Sequence, residues 1–390
     1  MRSANRRYLY PVDHIRFAAA SLVVVYHGTQ LISAAVEQRA GTPVPAWLFS
    51  RNPVKDVVFE GHTGVALFMV LSGFIFTVGT LGREVIYPRF IANRLLRIYP
   101  LYLVLAFMGL TTTHAAYTLG NLVTVILPLS SFGPIAVGSA WGAMFWAVAI
   151  EVQFYLIFPL LLRLLNKGGP LVLLRTIAAM LTIRVLAYVV SPNAIDINGV
   201  AYYSILGRID QFLLGMIAAW VYLRRPVWLG RSTLAASGVA ALVMLWAFNQ
   251  IHGFNHPAAW RMGWVDVEGI VWAAFIGSYV VVFRDRASHW SRGLARLGEI
   301  SYSTYLLHFV IVTWIASKAS LEIRVGGPVT TAFLTSCLVV LPITIALGFV
   351  TYHGIERPFL ELRMKYIKPE SLITDQAAEL ERPGAEPITS

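Results

Sequence analysis

A chain of 390 residues with 57% hydrophobic and only 13% charged residues departs from soluble domains, in which about a quarter of residues are charged. Together with a mean hydropathy of +0.65, that balance excludes a soluble enzyme, a disordered chain and a nucleic-acid-binding domain, because no soluble core of this size hides so much apolar surface. The net charge of +11 then acts through its placement, since Lys and Arg near the ends of membrane spans are retained on the cytoplasmic side.

Apolar runs able to cross a hydrocarbon core of about 30 Å fall near residues 13–34, 57–81, 98–113, 141–163, 171–190, 204–223, 233–250, 265–283, 300–317 and 329–352. The chain reads as an all-α polytopic membrane protein of about ten transmembrane helices. Its basic start is like that of a signal peptide, but Arg16 and His27 interrupt the first apolar run and nine more follow. The stretch 119–137 carries Pro128, Gly133, Pro134 and Gly138 and reads as a re-entrant element. Without a crossing there, 21 Lys and Arg residues fall on one side and six on the other, which puts both termini in the cytoplasm. The predicted organisation is a cytoplasmic segment 1–12, a transmembrane domain 13–360 and a polar, largely disordered cytoplasmic tail 361–390. No internal repeat of the transporter kind is visible. The single cysteine, Cys337, excludes a disulfide framework and a multi-cysteine metal site.

Ionisable groups inside spans are costly and mark candidate sites. His27 lies well inside the first span. Arg16, eleven residues earlier, shares its helix face about 16.5 Å away along the axis. Glu151 lies about 15 Å deep in the span that starts near Trp141, at a depth similar to His27, so a His27–Glu151 pair is reasonable. Either residue could instead be an interhelical hydrogen-bonding group that fixes packing. Ahead of the third span, Arg83, Arg89, Arg94 and Arg97 gather on the cytoplasmic side, and the spacing of Arg94 and Arg97 lets both guanidinium groups face one anion. The cluster reads either as topogenic charge or as a site for a phosphorylated carrier. His62, Arg208, Asp210, Asp266 and Glu268 gather near the outer span ends, either as the lining of an external vestibule for a hydroxyl-rich substrate or as ordinary interfacial charge. His308, in "SYSTYLLHFV", and His353 and Glu356, in "YHGIERPF", are further polar groups near span ends.

Taken in order, the Arg16 to His27 spacing, "GVALFMVLSGFIFT" at 64–77, the pair Arg94 and Arg97, "FWAVAIEVQFYLIFPLL" at 145–161, "ISYSTYLLHF" at 300–309 and "GIERPF" at 354–359 resemble the acyltransferase-3 family of integral membrane acyltransferases. The family's usual Gly-rich start here reads "VDHIRF", and Ala147 and Ala149 stand where serines often precede the glutamate. The resemblance implies a membrane O-acyltransferase acting on a carbohydrate or glycosylated acceptor. It implies acetyl-CoA or another acyl-CoA as cytoplasmic donor, no metal, and location in a bacterial cytoplasmic (inner) membrane among its lipids. His27, as base or transient acyl acceptor, Glu151, orienting or polarising its imidazole, and Arg16 would be the catalytic group and Arg94, Arg97 and Arg89 the donor-binding group. A chain without a fused esterase-like domain would need a separate extracytoplasmic partner for any later transfer. The rival reading is a proton-coupled transporter or flippase of a lipid-linked sugar or small molecule, with His27 and Glu151 as proton relay.

Overall fold

A computed structural model of the chain describes residues 8–45, 47–112, 118–127, 129, 131, 140–191, 196–256, 258–284 and 288–368. The expected tail beyond Lys368 and the first seven residues lie outside them. Among the described residues the protein is all helix apart from one antiparallel bridge between Val85 and Ile367.

The helices are α1 (Tyr10–Ala40), α2 (Pro53–Phe59), α3 (Thr63–Thr80), α4 (Tyr87–Thr112), α5 (Leu119–Ile126), α6 (Phe145–Gly168) and α7 (Pro170–Val190). There follow α8 (Ile197–Ala201), α9 (Ile205–Arg224), α10 (Arg231–Gln250), α11 (Arg261–Phe283), α12 (His289–Glu299) and α13 (Ser301–Ala316). A continuous rod, Pro328–Glu361, ends the helical part. Local chemistry sets several ends. Pro11 sits in the first turn of α1, where a missing N–H leaves nothing unsatisfied, and Gly41 closes that helix at φ 69°. Asn52 caps α2 by accepting the Val54 N–H.

Among the described residues nine helices are long and apolar enough to span a membrane, and the 16-residue α13 is a shorter apolar helix. These ten coincide with the ten predicted runs. The predicted start of the third run is wrong, however. Helix α4 begins at Tyr87, about three turns before residue 98, and passes through Pro100. Arg94 and Arg97 therefore belong to the helix, because their faces line a polar cavity and hydrocarbon is not their surroundings. Helix α5 has eight residues, about 12 Å, which is too short to cross. Of the rest of the predicted re-entrant stretch, residues 128, 130 and 132–137, including Pro128, Gly133 and Pro134, are outside the described residues.

Helix α3 is the centre of the bundle, with 83% of its apolar window buried, against 11% for the lipid-facing α7. It packs on α1, α6, α9 and α11. The contact with α9 is close because a Cβ on Gly73 would collide with the Phe212 carbonyl, and one on Gly215 with the Val70 carbonyl. Small residues facing each other in this way let helices gain packing where lipid offers no hydrophobic driving force.

The five groups near the outer span ends are packed inside the bundle: Arg208 and Asp210 are fully buried, and His62, Asp266 and Glu268 nearly so, with His62 and Glu268 also lining a small second pocket. Arg184, on α7, pairs with Asp210 and Asp266 at 2.7 Å each. Arg208 pairs with Glu268 at 3.4 Å, and Gln211 donates to the same carboxylate at 3.0 Å. This lattice joins α7, α9 and α11. Asp210, Asp266, Arg208 and Glu268 find their partners on neighbouring helices, which no single span reveals, whereas His62 meets Glu60 two residues away at 3.1 Å.

At the other, arginine-rich end, α12 lies against the start of α1, with His14 Nε2 2.9 Å from the Ser291 carbonyl. Its Trp290 is 86% exposed, as an interfacial anchor would be. Residues 361–368 fold back on α4. Asn93 and Met364 exchange two hydrogen bonds, of 2.7 and 2.9 Å, and the Ile86 N–H donates to the Tyr366 carbonyl at 2.7 Å.

Candidate functional site

A cavity of about 1540 Å³, part of it open to solvent, enters the bundle from the arginine-rich end. Four separate helices bring Arg16 (α1), Arg94 and Arg97 (α4), Ser72 (α3) and Glu151 (α6) to its wall, and Tyr302 and Tyr305 of α13 join them. Four of the six residues expected to carry the chemistry thus share one space. Arg89 does not: it is exposed and points to the Lys365 carbonyl at 3.5 Å.

Each charged group has a distinct setting. Arg16 pairs with Asp13 one turn earlier, at 2.6 Å. Arg97 pairs with the fully buried Glu356 of the rod at 3.1 Å and donates to the Glu299 carbonyl at 3.3 Å. Glu356 is brought there by a π-helical turn over Tyr352–Glu356 and also accepts from Ser303. Arg94 has neither an ion pair nor a hydrogen bond among the described residues. Its guanidinium lies 4.8 Å from the Phe76 ring centre and 5.5 Å from that of Phe90, with Nε buried. Cation–π attraction holds it in place without neutralising its charge.

Glu151 accepts hydrogen bonds from Tyr155 and, at 3.3 Å, from Ser72. The expected His27–Glu151 pair is absent. Equal depth along two helices does not make them neighbours, and α3 packs between α1 and α6.

His27 instead meets His308, Nδ1 to Nε2 at 3.1 Å. The hydrogen bonds decide the protons. Nδ1 of His308 contacts the Tyr305 carbonyl, and Nδ1 of His27 lies 3.1 Å from the Val23 carbonyl. Carbonyl oxygens only accept, so both Nδ1 atoms carry hydrogen in the neutral rings. His308 Nε2 is then an acceptor, His27 Nδ1–H is shared between Val23 and His308, and His27 Nε2 is left as an unprotonated nitrogen without a partner among the described residues. His27 is half-buried, whereas His308 is fully buried. Tyr305 bridges the two parts of the site. It lines the cavity, its ring lies 5.7 Å from that of His308, and its hydroxyl is buried without a hydrogen bond among the described residues.

Next to His27, Gly28 allows the rod to approach, since a Cβ there would strike the Ser336 side chain. Away from the cavity, Tyr26 packs on His27 at 4.6 Å between ring centres and leads to Trp47, His62 and Phe254. Among the described residues no His, Cys, Asp and Glu cluster has metal-binding form.

Sequence reasoning left three contributors without a role. Tyr305 and His308 are three residues apart, a helical spacing that puts both on one face. Arg363 lies beyond the last span, and no sequence signal returns it to the cavity.

Residues 9–353 match the family of the acyltransferase domain, Acyl_transf_3. The acyltransferase MdmB of Streptomyces mycarofaciens is 25% identical over 83% of this chain and 87% of its own length. The O-acetyltransferase OatA of Staphylococcus aureus is 23% identical over 80% of this chain, which spans only about half (52%) of OatA. The exopolysaccharide production protein ExoZ of Rhizobium meliloti is 26% identical over 77% of this chain and 90% of its own. No solved structure matches.

Proposed function

The chain belongs to the acyltransferase-3 family, and from that premise we propose that this membrane acyltransferase moves an acyl group, acetyl in the first instance, from cytoplasmic acyl-CoA to a hydroxyl of a carbohydrate or glycosylated acceptor. The observation that carries the reading is one cavity holding Arg16, Arg94, Arg97 and Glu151, joined through Tyr305 to the His27–His308 pair. Guanidinium groups at the mouth suit the phosphates of CoA, which would enter thioester first. The acceptor would approach from the opposite end, past Tyr26 and Trp47. The names of OatA and ExoZ, an O-acetyltransferase and an exopolysaccharide production protein, favour an acetyl group and a saccharide acceptor. The organisms of these relatives favour a bacterial cytoplasmic membrane.

In this mechanism His27 Nε2 takes the proton of the acceptor hydroxyl while its oxygen attacks the thioester carbonyl carbon. The C–O bond forms, the C–S bond breaks, and the imidazolium returns the proton to the departing thiolate. His27 Nδ1–H stays donated to Val23 and His308 throughout, which fixes the ring. Histidine suits this work because its ordinary pKa is about 6.5. Glu151, held by Tyr155 and Ser72, shapes the cavity floor rather than orienting His27. Arg16 flanks the donor's path.

The test is transfer of labelled acetyl from acetyl-CoA in proteoliposomes containing wild type, His27→Ala or His27→Gln at matched insertion. Loss of a positioned base predicts a fall of about 10²–10⁴-fold in kcat. Undiminished transfer by His27→Ala would sink the assignment.

A further inference from the structure

Arg94 and Arg97 differ in what they have left to offer an anion. Arg97 is engaged on two sides, by the Glu356 carboxylate at 3.1 Å and the Glu299 carbonyl at 3.3 Å, and its guanidinium lies 5.6 Å from the Tyr302 ring centre. Glu356 is its counter-ion, and its contacts tie α4 to the rod. Arg94 faces aromatic rings alone and has no counter-ion among the described residues.

The matching uncompensated charge comes from beyond the last span. Arg363 lines the same cavity and is half-buried. Its one hydrogen bond among the described residues runs from Nε to the Leu360 carbonyl, at 3.1 Å, and both terminal nitrogens are free of carboxylates. Burial and the charges of Arg97, Arg94 and Arg16 pull its pKa down to about 10, so it remains a cation at neutral pH. Like charges gather at such a cost where an anion is to be bound.

The placement of Arg363 is built. The paired hydrogen bonds between Asn93 and Met364 join the residues adjacent to Arg94 and Arg363, so the two guanidinium groups are carried on one lip. The strap is held further on by Ile86 to Tyr366, by Lys368 N–H to the Glu84 carbonyl at 3.1 Å and by Lys368 Nζ to Glu84 at 2.8 Å. Tyr366, on the same strap, is buried against Phe90 and completes the rings around Arg94.

We propose that Arg363 and Arg94, from two different elements, form the anion-binding pair of the cavity, and that they take a phosphate of the donor's nucleotide half while Arg97 serves as the clamp to Glu356. The pairing rests on the reading of the cavity as the acyl-CoA site. The same phosphate chemistry is presented by an anionic lipid headgroup, and the experiment separates the two sources.

The full chain is reconstituted in nanodiscs of zwitterionic lipid, and transfer is measured with acetyl-CoA and with acetyl-pantetheine, which lacks the nucleotide phosphates. Arg363→Ala should raise KM for acetyl-CoA about ten- to a hundredfold with kcat within a few fold, as expected for loss of a charge-assisted contact made in both ground and transition states. Arg363→Lys should recover part of that loss. With acetyl-pantetheine, Arg363→Ala and wild type should be equal. An unchanged KM for acetyl-CoA, or an equal loss on both donors, overturns the pairing while leaving the donor reading intact. A wild-type chain that neither binds nor consumes CoA thioesters overturns the donor reading and the pairing with it. If phosphatidylglycerol in the disc raises KM in wild type and not in Arg363→Ala, the pair belongs to a lipid headgroup and the nucleotide assignment fails.

Discussion

Replacing His308 tests how the reactive histidine is held. His308 is fully buried, and its Nε2 accepts the Nδ1–H of His27 at 3.1 Å. In His308→Ala the Nδ1–H keeps the Val23 carbonyl, also at 3.1 Å, so it is not orphaned and the ring loses one of two anchors. A net hydrogen bond contributes about 0.5–1.5 kcal/mol. At about 1.36 kcal/mol per tenfold in rate, kcat should fall roughly 2- to 13-fold, far less than for His27→Ala. KM for acyl-CoA should hold, because His308 is not on the cavity wall. His308→Gln offers a carbonyl oxygen in place of the ring nitrogen and should recover much of the rate. The assay is acetyl transfer in proteoliposomes, with kcat and KM resolved and the folded fraction checked by gel filtration. Full activity in His308→Ala, or a loss confined to KM, would refute the anchoring role. A loss as large as that of His27→Ala would move the proton transfer itself to His308.

Two further outcomes concern stability. Asp56, on the short α2 outside the spans, is fully buried with both carboxylate oxygens unpartnered among the described residues, and burial and nearby Glu60 raise its pKa to about 6. A raised carboxyl stabilises the fold while protonated, so the contribution is complete below about pH 4 and is lost as pH climbs through about 6, at most about 3 kcal/mol. Detergent-solubilised protein should lose Tm between about pH 4 and 6.5, and Asp56→Asn should flatten that slope; a slope unchanged in the variant would contradict the assignment. Arg184 is the buried hub for Asp210 and Asp266, so Arg184→Met should cost about 3–5 kcal/mol by leaving two carboxylates unpaired. The triple change with Asp210→Leu and Asp266→Leu should recover most of that loss in thermal unfolding, and failure to recover would mean the arginine itself, not the stranded carboxylates, sets the cost.

Much of the architecture was readable before any coordinates. The scarcity of charge makes each apolar run conspicuous, and all ten predicted runs correspond to helices. Arg16, Arg94, Arg97 and Glu151 stood out for the same reason, and the structure brings all four to one cavity. Arg184 escaped notice although it lies in the middle of an apolar helix. The third apolar run starts only after Arg97 because a charged turn looks like an interface when the cavity beside it is unseen.

The pairings could not be read in this way. Helical periodicity assigns a residue a depth and a face on its own helix, which made His27 and Glu151 look like partners. It carries no information about which helices touch. That choice arises from close approaches such as Gly73 of α3 against α9 and Gly28 of α1 against the rod, from buried ions seeking counter-ions on other helices, and from the strap that carries Arg363 back to Arg94. The amino-acid sequence alone determined a bundle of membrane helices with a few costly polar groups inside, because hydrocarbon penalises every such group individually. Only the tertiary structure decided that His27 meets His308, that Arg97 is paired with Glu356 and that Arg94 is left with an open charge, because ion pairs and hydrogen bonds depend on separations of about 3 Å between residues distant in the chain.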